Sequence, residues 1–232
     1  MRVTPEQQLE GFPAPLSVLD FWQWAFSDLC DDDIKGWFAE WMVGHLLKIR
    51  MTRRISWANS DLIIGDKAPF LRIEVKSTAY WQSWKLVDEF GNAITPKPLA
   101  QNARDKLRFA GLMARTSTSP THVTDEVLHK SDLYVFAFQK HLDYETWNAP
   151  DLAQWEFFLA TKEQLGCKKS VSLRDLEMMG AGPLTAYEFS KRGREEIRSR
   201  GYGEFVGSFL AERMEDQSQY GYGYDAEGNP LK

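Results

Sequence analysis

The sequence has little cysteine. Its 232 residues include two cysteines, Cys30 and Cys167, which lie far apart and form no CxxC pair. This count and spacing argue against a zinc ribbon and against a thiol redox motif. Two unpaired cysteines are typical of a chain whose thiols stay reduced, and we therefore expect a cytoplasmic protein.

Long apolar runs and an excess of positive charge are also missing. No segment approaches the roughly 20 apolar residues of a membrane helix, and the N-terminal residues contain no uninterrupted apolar segment of the signal-peptide kind. The formal net charge of −5 argues against a generic nucleic-acid binder. Basic runs do occur at residues 48–54, 104–108 and 191–200, but most such runs are solvated surface. We expect no association with a membrane.

The chain does have enough apolar material for a sizeable core. Hydrophobic residues make up 43% and charged residues 26% of the sequence, close to the average of globular proteins. The length suits one domain with appendages. We predict an irregular N-terminal arm at 1–15, a main domain at 16–190, and a C-terminal helix (Gly203–Met214) with a flexible tail inside 191–232.

Hydrophobic periodicity predicts a mixed fold of the α/β (α+β) class. Its helices and strands alternate along the chain, and we expect a central mixed sheet of about five strands flanked by helices. Residues 97–114 fit a helix or a strand equally well. The predicted elements are helices Leu16–Leu29, Ile34–Arg50 and Ser172–Met179 and strands Arg53–Trp57, Asp61–Gly65, Phe70–Ala79, Asp132–Phe138 and Trp155–Ala160.

An acid and a base lie two residues apart inside the third predicted strand. Side chains alternate between the faces of a strand, so Glu74 and Lys76 share one face while Ile73 and Val75 point into a core. A hairpin with the preceding strand would bring Asp61 beside Glu74. The cluster is then either a solvated strand face with weak cross-strand pairs or a chemical site.

Glu40 adds a third carboxylate to this hypothesis. The predicted apolar stripe of its helix, which we expect to face the core, contains Ile34, Trp37, Phe38, Trp41, Met42 and Ile49. Glu40 lies off that stripe, among Gly36, Val43, Gly44 and Leu47, so we expect it to face protein. A buried acid must be paired, neutral or bound to a metal.

Neighbouring carboxylates repel each other unless a cation lies between them. Carboxylate oxygens suit Mg²⁺, which takes one or two of them together with waters and substrate phosphate oxygens. Such an ion activates water and offsets charge at a scissile phosphate. A nearby lysine orients the nucleophile or stabilises developing negative charge.

Asp61 followed by Glu74-Val75-Lys76 resembles the D-x(n)-E-x-K signature of the PD-(D/E)xK nuclease superfamily, which has a restriction-endonuclease-like fold. Ser60 stands where that family often has Pro. The resemblance implies a core of a helix, three meander strands, a second helix and a further strand over residues 34–140. Residues 57–62, 73–77, 82–84, 131–136 and 154–157 also resemble a set of uncharacterised bacterial members.

The resemblance implies a Mg²⁺-dependent endonuclease, a hydrolase that cleaves phosphodiester bonds, with Mn²⁺ able to substitute. Asp61, Glu74, the Val75 carbonyl and Glu40 would bind the metal, and Lys76 would be the catalytic lysine. Double-stranded DNA would be the substrate, and a homodimer is one arrangement used by relatives. The alternative is a catalytically silent module of the same fold that binds nucleic acid or protein. Candidate substrate contacts are Ser77, Gln82, Trp84, Arg104 and Lys106.

Overall fold

A computed structural model describes residues 3–11, 15–51, 60–90, 92–100, 102–119 and 122–206, with backbone alone for 115–126. The helices in these ranges are α1 (Val18–Phe26), α2 (Asp32–Leu46), α3 (Ala103–Lys106), α4 (Lys162–Leu165), α5 (Leu173–Met178) and α6 (Ala186–Ser199). The strands are β1 (Leu62–Ile64), β2 (Leu71–Ala79), β3 (Arg108–Ala110), β4 (Ala114–Ser119), β5 (His122–Leu128), β6 (Leu133–Gln139), β7 (Trp155–Thr161) and β8 (Ser170–Ser172). None of the described helices is long and apolar enough to cross a membrane.

Side-chain caps define where the helices begin. Ser17 and Asp20 form a reciprocal capping box at the start of α1, and Asp31 accepts hydrogen bonds from two backbone N–H groups at the start of α2. Ser172 and Asp175 form another capping box at the start of α5, where the sequence predicts that a helix begins. Each cap satisfies backbone donors that the first helical turn leaves without partners.

The central sheet is mixed and has the strand order β1-β2-β6-β7. β1 and β2 form an antiparallel hairpin, β2 and β6 run parallel, and β6 and β7 run antiparallel. The described residues therefore form a four-stranded central sheet rather than one of about five strands. The predicted strand Arg53–Trp57 lies outside the described residues.

Apolar side chains cover both faces of this sheet. On one face, Ile73, Val75 and Val135 pack with α2 and α6. On the other, Tyr134 and Phe136 pack with the two-stranded β3–β8 sheet and α5. All seven residues of β6 are buried, which is typical of a strand enclosed on both faces.

Helix α2 packs through a stripe that overlaps the predicted one only in part: Met42 is buried and Phe38 packs against the core. Its buried residues are Lys35, Ala39, Met42, Val43 and Gly44, while Trp37 and Trp41 are 37% and 51% exposed. The prediction that these tryptophans face the core was wrong. The side of α2 that contains Ala39, Val43 and Gly44 packs on the core, and the two tryptophans are turned outward.

Two segments that the sequence left unsettled are now described. Residues 97–114 contain both the short helix α3 and the strand β3, which pairs with β8. Helix α6 extends past residue 190, the predicted end of the main domain, and buries Phe189 and Ile197 in the core. Of the predicted helix Gly203–Met214, residues Gly203–Phe205 form a 3-10 turn, and residues 207–232 lie outside the described residues.

Candidate functional site

The β1–β2 hairpin brings Asp61 to the strand that carries Glu74. Leu62 of β1 pairs with Ile73 of β2. Because the two strands are antiparallel, Asp61, just before Leu62, lies beside Glu74, just after Ile73. The backbone N–H of Val75 donates a 2.8 Å hydrogen bond to Asp61 Oδ2. The juxtaposition that the sequence predicts is therefore present.

The alternation along β2 separates a charged face from an apolar face. Ile73 and Val75 are buried against the α2 side of the sheet. Glu74 and Lys76 pair in register with Tyr134 and Phe136 and so share their face. Lys76 Nζ lies 2.7 Å from Glu74 Oε1, and the two side chains are 29% and 19% exposed.

Burial and neighbouring charges shift the pKa of Asp61. Burial is the largest cause that raises the pKa of Asp61, followed by repulsion from Glu74 and, more weakly, from Glu40; together they bring it to about 7. The Val75 N–H and the Lys76 ammonium oppose this shift. Together with Asp61 itself, the interacting groups are three carboxylates and one ammonium, so negative charge is in excess.

Glu40 lies on α2, which packs against the Ile73 and Val75 face of β2. It is half-buried, and Val43, Gly44 and Leu47 on its side of the helix are buried. Glu40 therefore lies partly against protein, and its place as a metal ligand stays a prediction. Its charge contributes to the raised pKa of Asp61, less than that of Glu74.

The donor atoms suit a hard divalent cation. Carboxylate oxygens of Asp61 and Glu74 are of the type that Mg²⁺ binds. The C=O of a strand residue points to the same side as its N–H, so the Val75 carbonyl points to the same side as Asp61. Among the described residues, no three Asp, Glu, His or Cys side chains form a group that could hold a metal. Glu74 is paired with Lys76 instead.

Gln82 binds a buried lysine that the sequence analysis missed. Lys35 is 2% exposed, and its Nζ donates to Gln82 Oε1 at 2.8 Å and to Asp32 Oδ1 at 2.7 Å. Gln82 Nε2 donates to the Ala79 carbonyl at 3.3 Å. Gln82 therefore ties the first turn of α2 to the end of β2. In the sequence, one sign of this contact was that Lys35 lies one helical turn before Ala39, on the side of α2 that carries small residues.

Ser77 and Trp84 lie apart from the charged face. Ser77 follows Ile73 and Val75 on the other face of β2, by strand alternation. Trp84 lies in the 3-10 turn Ser83–Lys85 after β2 and is 63% exposed. Lys85 Nζ lies 5.0 Å from the centre of its ring. The predicted substrate contacts of these two residues stay predictions.

Arg104 belongs to a second charged cluster. Its guanidinium donates to Glu156 at 3.1 Å and to Glu177 at 2.8 Å, and Lys140 lies 3.6 Å from Glu156. Glu156 pairs with Phe138 of β6, and Glu74 pairs with Tyr134 of the same strand. The four residues between these two positions span about 13 Å at the usual rise per residue of a strand. Lys106 is exposed in the same short helix, α3. The structure does not bring Arg104 to Asp61.

Tyr134 is a second residue that the sequence analysis missed. It pairs with Glu74 across β2 and β6, and burial, as the largest cause, raises its pKa to about 12. Its hydroxyl donates to the Leu112 carbonyl at 3.2 Å. A phenol that stays protonated beside Glu74 adds no negative charge to the cluster. The uniform apolar character of β6 in the sequence gave no sign of this role.

Comparison with known proteins found no matching family model, curated protein or solved structure. A fold would not by itself establish an activity in any case.

Proposed function

We propose that this protein is a Mg²⁺-dependent nuclease that hydrolyses phosphodiester bonds of DNA. The observation that carries the proposal is the position of Asp61. Its partly buried carboxylate lies beside Glu74 in the β1–β2 hairpin, and its pKa is raised to about 7 by burial and by the charges of Glu74 and Glu40. Strongly shifted groups of this kind concentrate at functional sites.

The residues that would hold the metal are Asp61, Glu74 and the Val75 carbonyl, with Glu40 as a further acid. Bound Mg²⁺ would supply charge neutralisation at the scissile phosphate and a water of lowered pKa. Asp61 is held in place by the Val75 N–H, so its oxygen is positioned before any ligand binds. This preorganisation favours binding because little side-chain freedom remains to be lost.

Lys76 is the residue that faces developing negative charge. Its ammonium is paired with Glu74 and is partly exposed, so a phosphate oxygen or the attacking water could accept a hydrogen bond from it. A fixed ammonium at that position stabilises a transition state that is more negative than the ground state. The same lysine compensates part of the negative charge around Asp61.

The direct test is cleavage of plasmid DNA by the purified chain with Mg²⁺ or Mn²⁺, with and without chelator. Lys76→Ala and Asp61→Ala should each lower the cleavage rate by at least about 10²-fold. Lys140→Ala is the matched control, because it removes a lysine from the second charged cluster. Cleavage that survives both site substitutions would show that a contaminant is responsible.

The alternative is a catalytically silent binding module. One observation favours it: Glu74 is paired with Lys76, and no group of three metal-ligating side chains is present in the part of the chain that the structure describes. Calorimetric titration with Mn²⁺ separates the two functions. Binding that Asp61→Asn abolishes supports the nuclease, and no binding at millimolar Mn²⁺ supports the silent module.

A further inference from the structure

A set of aromatic side chains on α1 and α2 is exposed and connected. We call it the aromatic surface. Phe21 lies 6.3 Å from Trp24 and 6.2 Å from Phe26, and Phe26 lies 5.7 Å from Trp37, between ring centres. Trp41 follows Trp37 after one helical turn, on the same side of α2. Their exposed fractions are 48% for Phe21, 83% for Trp24, 38% for Phe26, 37% for Trp37 and 51% for Trp41.

Helix α1 buries almost none of its apolar side chains. Its only buried residue is Val18, and Leu19 is 44% exposed beside the aromatic surface. A nine-residue helix gains little stability by itself in water and usually depends on packing. Contiguous exposed apolar surface of this kind marks an interaction site, so the outer side of α1 is suited to a partner.

The charge around the aromatic surface selects the partner. Residues 15–47 contain six carboxylates and one lysine, a formal charge of −5, which equals the net charge of the whole chain. Asp20, Asp28 and Asp33 are exposed. The one lysine, Lys35, is buried against Asp32 and so offers no cation at the surface.

This charge disfavours three occupants. Nucleic acid would bring phosphates to an acidic surface, although binding depends on neutralising them. A membrane with anionic headgroups would be repelled for the same reason. A second copy of the chain would place two such acidic faces against each other, at an electrostatic cost.

We propose that the aromatic surface binds a cationic amphipathic segment of a partner protein. The apolar side chains of that segment would cover Phe21, Trp24 and Trp41, while its Lys or Arg residues would face the acids around them. Buried tryptophans contribute much of the energy of interfaces, and complementary charge accelerates association. This site is separate from the proposed catalytic residues, apart from sharing α2 with Glu40.

The test uses the full chain and a labelled synthetic peptide of about five helical turns, with Leu on one face and Lys on the other. Fluorescence anisotropy and the tryptophan emission maximum report binding. Controls are a scrambled peptide of the same composition and a peptide with Glu in place of Lys. We expect binding of the first peptide alone, accompanied by a blue shift of the emission.

Variants locate the binding site. Trp24→Ala should weaken binding at least tenfold and should not unfold the chain, because Trp24 is 83% exposed; circular dichroism checks this. Tyr187→Ala is the control, since Tyr187 is 77% exposed but lies on α6, and it should change affinity less than twofold. Added salt should weaken binding of the Lys peptide.

Several results would overturn the proposal. One is equal binding of the scrambled peptide, and another is unchanged affinity in Trp24→Ala. Sedimentation that shows a dimer abolished by Trp24→Ala would assign the surface to a second copy. Binding to anionic vesicles or to single-stranded DNA that depends on Trp24 would assign it to those ligands instead. None of these results bears on DNA cleavage by the Asp61 site.

Discussion

Two charged clusters lie near opposite ends of the central sheet, and they differ in balance. The Arg104 cluster (Arg104, Lys140, Glu156 and Glu177) has two cations and two acids in ion-pair contact. Burial lowers the pKa of Arg104, but hydrogen bonds and charge from Glu177 and Glu156 outweigh this and raise it. The charges of this cluster are therefore neutralised by ion pairs within the protein.

The Asp61 cluster (Asp61, Glu74, Lys76 and Glu40) has three acids and one cation. Its excess charge raises the pKa of Asp61 instead of being neutralised. Interactions that are unfavourable in the free protein are typical of functional sites, where a ligand relieves them. Net balance of charge, rather than the number of charged residues, distinguishes the structural Arg104 cluster from the candidate site at Asp61.

Asp61→Asn should have the largest effect on stability, and it should stabilise the metal-free protein. A shift of the pKa from 3.8 to about 7 corresponds to roughly 4 kcal/mol, as an upper value, that the ionised carboxylate costs the fold. The folded chain holds this proton between about pH 4 and pH 7 while the unfolded chain releases it. The free energy of unfolding therefore falls as pH rises through that window.

Urea denaturation in chelator at several pH values measures this effect. The gain of Asp61→Asn over wild type should be near zero at pH 4 and largest at pH 8, because asparagine does not ionise. Addition of Mn²⁺ should stabilise wild type and leave the variant unchanged. A variant that is less stable than wild type at pH 8 would contradict the excess of charge at Asp61.

Glu156→Gln should have the next largest effect, with the opposite sign. It leaves the guanidinium of Arg104 and the ammonium of Lys140 without their shared carboxylate, which is 19% exposed. We expect a loss of about 1 to 3 kcal/mol in the free energy of unfolding. Denaturation measures the loss, and the rate of DNA cleavage should stay within about twofold of wild type.

The control for that variant is Glu177→Gln, because Glu177 is more exposed, at 39%, and contacts Arg104 alone. Its loss should be smaller, under about 1 kcal/mol. If Glu156→Gln abolished cleavage without a change in stability, the Arg104 cluster would be part of the catalytic site and the comparison would fail.

Lys76→Met should have the smallest effect on stability. The ion pair with Glu74 is partly exposed, so its removal should cost less than about 1 kcal/mol. Loss of the ammonium should also raise the pKa of Asp61 further, since Lys76 lowers it in the wild type. Carboxyl titration by NMR checks the direction of that change; a lower pKa would show that Lys76 does not act on Asp61.

Local patterns in the sequence were sufficient for the hairpin that carries the site. The alternation of Ile73, Glu74, Val75 and Lys76 determines which side chains share a face, because the period of a strand is two. The register follows from the same pattern, since a slip of one residue would turn Glu74 toward the α2 core and Val75 toward the charged face. Asp61 was predictable beside Glu74 for this reason.

The packing of α2 was not predictable from hydrophobicity. The helix has an aromatic stripe with Trp37 and Trp41 and a small-residue stripe with Ala39 and Val43. The sequence alone favours the aromatic stripe as the core side. Tertiary packing reverses this: Ala39 and Val43 are fully buried, and Gly193 of α6 lies so close to Leu47, just after the end of α2, that a β-carbon there would overlap its side chain.

The residue types of the candidate site, the alternation of β2 and the caps of the helices could be predicted, because they depend on neighbours along the chain. The partner of Gln82, the pairing of β3 with β8 and the outward turn of the aromatic surface could not, because each depends on contacts between residues distant in sequence. Lys35 meets Gln82 across 47 positions, and no local period encodes such a contact.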